Sequence, residues 1–270
     1  MGEGKIKRLT FNEIDSKFIG RFNKYLTTDL KMLNNTVAKN MKTLRTFLNF
    51  CSNPQRQYYT PYEPIKFQVK ENEPAIIALK ESEVEHLYDF KFESEKLQSV
   101  RDVFVFGCYT GLRYSDLKKI KKTSIEGDFI KFNISKSQGT EEQTVPLLPI
   151  AKEILNKYKD LSIDQALPVL SNQKMNDYIK DMCKEAKIDQ IITITELQSG
   201  KKMDKEFRKY ELVTCHTCRK TFISMLINKG VPEAIIKSIT GHIKDSKAFV
   251  RYYQIDNDEK LQGISKAFNL

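Results

Sequence analysis

Between Asn53 and Pro74 the apolar periodicity of this 270-residue chain stops. Pro54, Pro61 and Pro64 interrupt it, each lacking the backbone N–H that a helix needs, and TPYEPIKFQVKENEP reads as extended chain. The break confines any fold to two parts. We place a helical first domain at residues 1–60, a linker at 61–74 and a larger domain at 75–270.

The parts differ in charge. Residues 1–60 carry eleven Lys and Arg against four Asp and Glu, so they hold +7 of a formal net charge of +10. A basic surface concentrated in this way favours a polyanionic partner, either nucleic acid or an acidic membrane surface. Phe11, Ile14, Phe18, Phe22 and Leu26 recur at helical steps, as do Val37, Met41, Leu44, Leu48 and Cys51, with Asn35-Thr36 as the expected N-cap of the second helix. Lys39, Lys42, Arg45 and Asn49 project away from that second stripe, where they either contact phosphates or form a solvated face.

No stretch approaches the roughly 20 apolar residues that cross a bilayer, and the opening MGEGKIKRLTF has no apolar core behind its charges. A cytoplasmic protein without a membrane partner is therefore expected. Five cysteines, an odd number, argue against a disulfide framework. Cys215 and Cys218 have C-x-x-C spacing, but two further zinc ligands are missing, and burial on a helix is the expected reason for them.

In the longer part, Ala75–Asp89 and Glu95–Tyr109 have helical periodicity, and Gly111 is placed to end the second with a left-handed cap. FIKFNIS (129–135) and TVPLL (144–148) alternate and read as a hairpin around a flexible loop, KSQGTEEQ. Helices are predicted at about 150–159, 173–187, 215–229, 232–239 and 245–254. The fold class is therefore mainly α with a small β-sheet.

Four segments hold polar groups that a helical core does not need. TGLRYSDL places Asp116 three residues after Arg113, close enough to orient the guanidinium. CHTCRKTF places His216 and Arg219 on one helical face, able to reach one anion together. TGHIKDSKAFVRYYQI carries His242 and, ten residues on, Tyr252. Lys136 ends the first hairpin strand.

The order Arg, hairpin Lys, H-x-x-R, Gly-His, then Tyr near the C-terminus resembles the tyrosine recombinase family, in particular integrases of phages and transposable elements. The resemblance covers nearly the whole chain, since the basic helical segment is similar to the family's core-binding domain. It implies a catalytic domain of tyrosine recombinase type with Arg113, Lys136, His216, Arg219 and His242 around the nucleophile Tyr252. Where the family typically places its tyrosine this chain has Arg251, so one extra residue is accommodated. Tyr252 is preferred because Ile255 follows it by three. Tyr253 stays open, since helix phase moves about 100° per residue and only one of the two can face the site.

The chemistry suits these residue types. Arg113 and Arg219 can each fork two donors onto a phosphate. A tyrosine hydroxyl, with a reference pKa near 10, needs help to lose its proton, and His216 is the candidate. The resemblance assigns protonation of the leaving 5′-oxygen to Lys136 and a phosphate hydrogen bond to His242, with a 3′-phosphotyrosine intermediate. No Walker loop, carboxylate cluster or complete zinc pattern is visible, so no cofactor is expected. Double-stranded DNA recombination sites are the implied partner. The apolar tail (Leu261, Ile264, Phe268, Leu270) either packs on a neighbouring protomer of a homotetramer or docks on its own domain. A type IB topoisomerase or a non-catalytic DNA-binding accessory protein would be the alternatives.

Overall fold

The computed structural model describes residues 8–68, 71, 74–136, 139–161, 163–198 and 201–242, together with Phe249, Tyr252 and Ser265. It divides into two compact units, Met1–Ala75 with Thr193–Glu206, and Ile76–Ile192 with Phe207–Leu270.

In the first unit a 3-10 turn (Phe11–Glu13) leads into helix α1 (Ser16–Lys24), capped by the Asp15 carboxylate on Phe18 N. A π-turn (Tyr25–Asp29) and helix α2 (Asn34–Cys51) follow. The anticipated stripes form the core: Ile14, Ile19, Leu26, Val37, Met41 and Leu48 are buried, and Phe11, Phe18, Phe22 and Leu44 pack against them. The N-cap of α2 is Leu33, which places Asn35 and Thr36 inside the first turn instead of ahead of it. The following irregular stretch is anchored at its start: Thr60 N donates to Cys51 O, and Tyr62 and Phe67 pack on this core.

The second unit is built around helix α4 (Glu95–Thr110), whose residues from Val100 to Cys108 are all buried. A helix buried on every side must be covered on every side, and its two charged residues in this stretch, Arg101 and Asp102, pair with each other. Helices α3 (Glu81–Asp89), α6 (Pro149–Lys157), α7 (Asn172–Glu185) and α9 (Cys215–Asn228) supply that cover. Helix α3 starts six residues later than the predicted Ala75, because Leu79 N bonds to the Thr221 hydroxyl and Glu83 closes a capping box on Lys80 N. Buried Arg101 donates to the carbonyls of Leu87, Tyr88 and Phe90 and so closes the C-terminal end of α3.

Helix α5 (Tyr114–Leu117) precedes a three-stranded antiparallel sheet, β1 (Ile125–Glu126), β2 (Phe129–Lys136) and β3 (Gly139–Pro146). Pairing runs from Phe129↔Pro146 to Lys136↔Gly139, so the strands extend much closer to the turn than the eight-residue loop expected from KSQGTEEQ. Residues 188–214, to which the sequence reading assigns no element, hold β4 (Ile191–Gln198), β5 (Lys201–Arg208) and the short helix α8 (Lys209–Leu212). The tip of β4 belongs to the first unit, where Gln198 Nε2 donates to Lys31 O at 2.5 Å. Helix α10 (Glu233–Thr240) completes the described elements. Of the predicted 245–254 helix only Phe249 and Tyr252 lie within the described residues, and the apolar tail lies outside them.

Two glycines set how closely α9 approaches α4. A Cβ on Gly107 would stand 2.5 Å from Cys218 Sγ, and one on Gly111, whose φ is +66°, would stand 2.4 Å from the Phe222 ring. Gly111→Ala adds a left-handed penalty of about 1 kcal/mol to an overpacking cost of about 1–3 kcal/mol. We expect it to lower stability by about 2–4 kcal/mol, read as a shift in the urea midpoint at unchanged slope. Gly127→Ala is the control: its φ is +58° but nothing lies within 4 Å, so it should show the backbone penalty alone.

Candidate active site

Two helices of the second unit end at the same place. α4 stops at Gly111 and α10 at Gly241, both left-handed (φ +66° and +61°), and each helix end leaves carbonyls without intrahelical donors. Arg219, on α9 and only 3% exposed, meets both ends. Its Nη1 donates to Gly111 O at 2.8 Å and its Nη2 to Thr240 O. No carboxylate bonds this buried cation among the described residues. The negative ends of two helix dipoles offset its charge instead. Burial, then the neighbouring Arg113 charge, pull its pKa down to about 10, so it stays charged at neutral pH, and it keeps further N–H donors for an anion.

The remaining carbonyls of α10 are also satisfied. Lys237 O accepts from Gly241 N and His242 N, and Gln143 of β3 donates to Ser238 O and Ile239 O. The strand pair bearing Lys136 is thereby tied to the last turn of α10. Lys136 itself pairs in register with Gly139, next to the tip of that strand pair.

His242 stands against this scaffold with Nδ1 at 2.8 Å from Thr240 Oγ1 and 3.4 Å from Arg219 Nη2. Desolvation, then the charges of Arg219, Arg113, Lys237 and His216, push its pKa down to about 4. His216, at the exposed rim of α9, is also lowered, by the packing on its inner side and then by Lys220, Arg219 and Arg113. Both imidazoles are neutral at pH 7. Arg113, just ahead of α5, is 3.9 Å from Asp116 Oδ2, the orientation expected from R-x-x-D. Tyr252, once ionised, would attract Arg219, and its ring packs on Phe249, which is fully buried and lies edge-on to His242 at 5.5 Å. Tyr253 lies outside the described residues.

The structure thus brings Arg113, His216, Arg219, His242 and Tyr252 into one electrostatically coupled group. Sequence reasoning misses Gln143, Thr240 and Phe249. The one available signal is Gln143, a buried polar residue (7% exposed) where the strand alternation calls for an apolar one. Of the candidate DNA-binding residues in the first unit, Lys39 is exposed, Lys42 pairs with Glu71 at 2.5 Å, and Arg45 is half-buried. Lys39 and Lys42 line a groove of about 500 Å³ with Phe47 and Phe50, to which Arg45 does not contribute. The five cysteines are buried and unpaired, and burial raises the Cys215 and Cys218 thiols to about 11 and about 12.

The phage integrase family matches residues 78–259, and the phage integrase SAM-like domain matches residues 3–64. A tyrosine recombinase of Thermosipho africanus (strain TCF52B) is 26% identical over 268 residues, covering 94% of this chain and 85% of that protein. Tyrosine recombinase XerC of Thermodesulfovibrio yellowstonii (strain ATCC 51303 / DSM 11347 / YP87) is 24% identical over 243 residues, covering 87% and 76%. Among solved structures, the XerH site-specific recombinase bound to a palindromic difH substrate matches with a TM-score of 0.64 at 15% identity, covering 96% of this chain and 73% of that one. The Tn1549 transposon integrase in complex with transposon right end DNA matches at 0.62 and 14% identity, covering 99% and 89%. These structures share the fold, and none of the described helices is long and apolar enough to cross a membrane. Matched by its family across most of its length, the chain belongs to the phage integrases and is a tyrosine-type site-specific recombinase, an enzyme that cuts and rejoins DNA strands.

Proposed function

We propose that this enzyme integrates or excises a mobile element by attack of the Tyr252 hydroxyl on a DNA phosphodiester, leaving a 3′-phosphotyrosine and a free 5′-hydroxyl. The observation that carries the reading is the convergence of Arg113, Arg219, His216, His242 and Tyr252 around the ends of α4 and α10. Arg219 is preorganised by two carbonyls before DNA arrives, and preorganised donors are the main source of transition-state stabilisation for developing charge. Arg113 supplies the second guanidinium. The neutral His216 can accept the Tyr252 proton, which a protonated imidazole cannot. Lys136, near the strand-pair tip, protonates the departing 5′-oxygen, and His242 hydrogen-bonds the phosphate. The second half-reaction reverses these roles: an incoming 5′-hydroxyl attacks the phosphotyrosine and Tyr252 leaves, so no bond energy is lost.

Residues 1–60 are the core-type DNA-binding domain in this reading, 61–74 the linker and 75–270 the catalytic domain. Lys39, Lys42 and Arg45 contact the duplex backbone, Lys42 on exchanging Glu71 for a phosphate. The working assembly is a homotetramer on paired sites with the C-terminal tail exchanged between protomers, at the nucleoid. The test is a suicide substrate carrying a nick beside the cleavage position, followed by peptide mass mapping of the adduct. DNA linked to Tyr252 is the expected result. A link to Tyr253 moves the nucleophile by one residue, and a tightly bound site that yields no adduct would overturn the covalent mechanism.

A further inference from the structure

Thr240 is the last residue of α10 and has no exposed surface. A buried hydroxyl is tolerated only when its hydrogen bonds are made, and this one has two partners. Oγ1 lies 2.6 Å from Ile236 O and 2.8 Å from Nδ1 of His242. A hydroxyl has a single proton. The carbonyl can only accept, so the proton goes to Ile236, and toward His242 the oxygen presents lone pairs alone. Nδ1 must therefore carry the hydrogen. Arg219 Nη2, which can only donate, lies 3.4 Å from the same nitrogen, too long to compete with the 2.8 Å contact to Thr240, and makes its short bond to Thr240 O.

We propose that Thr240 is a positioning residue for strand cleavage, one that keeps Nδ1 of His242 protonated so that the ring meets the scissile phosphate through Nε2. The inference rests on the reading of His242 as a phosphate ligand. A neutral ring in this tautomer presents a bare lone pair at Nε2, which a phosphate oxygen repels. Contact requires a second proton, giving an imidazolium with one N–H on Thr240 and the other on the phosphate.

The groups facing the ring are Arg219 and His216 on α9, Arg113 ahead of α5, Lys237 on α10, and the Phe249 ring with Tyr252 beyond it. In the absence of DNA, burial and these cations keep the ring neutral. A phosphodiester supplies the negative charge that reverses their effect and raises the pKa, and the Thr240 hydroxyl stabilises the charged form on its Nδ1 side. The protonated ring is present below its pKa in the complex and lost above it. Removing the acceptor lowers that pKa, so the alkaline limb of the cleavage profile moves to lower pH.

The chain has three histidines, so ¹⁵N shifts assign their tautomers readily in the DNA-free protein. Wild type should show His242 protonated at Nδ1. Thr240→Val keeps the shape and removes the acceptor. It should abolish that preference and move the alkaline limb of suicide-substrate cleavage down by about one to two pH units, the size expected of a hydrogen bond to a charged group. Thr240→Ser should restore both. A wild-type ring protonated at Nε2 overturns the proposal, whether or not the Val variant folds. So does a folded Val variant with the wild-type pH profile. The underlying reading fails separately: His242→Ala cleaving at the wild-type rate removes the phosphate contact while leaving the tautomer result standing.

Discussion

Tyr252→Phe should abolish strand cleavage, by on the order of 10⁴-fold or more, the scale seen when an enzyme's nucleophile is deleted. The change removes one oxygen. The ring keeps its packing on Phe249, 5.9 Å between centroids, so stability should move by no more than about 1 kcal/mol, the net value of one hydrogen bond. Duplex affinity should stay within about twofold, as for a substitution that leaves charge and packing alone. Cleavage is read as covalent adduct on a suicide duplex and affinity by titration on the intact duplex. Residual cleavage at a tenth of wild type would move the nucleophile elsewhere, with Tyr253→Phe as the next variant.

Arg219→Ala should fail on two axes at once. Removing the guanidinium leaves Gly111 O and Thr240 O without their donor inside the protein, and each buried orphan costs about 1–3 kcal/mol. A loss of about 2–6 kcal/mol of stability is therefore expected together with a rate loss of about 10²–10³, the value of one transition-state donor. Arg113→Ala separates the two effects. Arg113 is 39% exposed and its ion pair with Asp116 is long, 3.9 Å, so its removal should lower the rate by a similar factor at nearly constant stability. Denaturant midpoints and single-turnover cleavage rates for both variants check this. Equal destabilisation by the two would show that Arg219 is no special link between the helix ends.

What the sequence makes legible here is what periodicity and composition encode. The stripes through Ile14 and Leu26 and through Val37, Met41 and Leu48 are buried as their spacing demands, and Gly111 ends α4 in the left-handed conformation its position suggested. The errors fall where tertiary bonds decide. α3 starts at Glu81 because Thr221, 142 residues away, takes Leu79 N. A period of two is visible in Ile192-Thr193-Ile194-Thr195 of β4, yet two such repeats are a weak signal beside neighbouring helices. At the site, Arg113, His216, Arg219 and His242 stand out as polar residues in ordered motifs. Thr240 and Phe249 do not, since their roles consist of bonds and ring contacts around a turn or along the chain, and nothing in their local pattern distinguishes them from helix and core positions; Gln143 is marked only by standing in phase with the buried Val145 and Leu147.

The course of the chain between the two units has a practical corollary. Residues 193–206 cluster with the first unit although they are flanked on both sides by the second, so the backbone crosses between units three times, at 75/76, 192/193 and 206/207. Cutting the Pro-rich stretch severs one of those crossings and leaves two. A fragment that begins at residue 76 carries β4 and β5 with it but not Lys31, whose carbonyl receives Gln198. Dividing this enzyme into its two compact units therefore takes an excision of 193–206 bridged by a short turn, not a single scission.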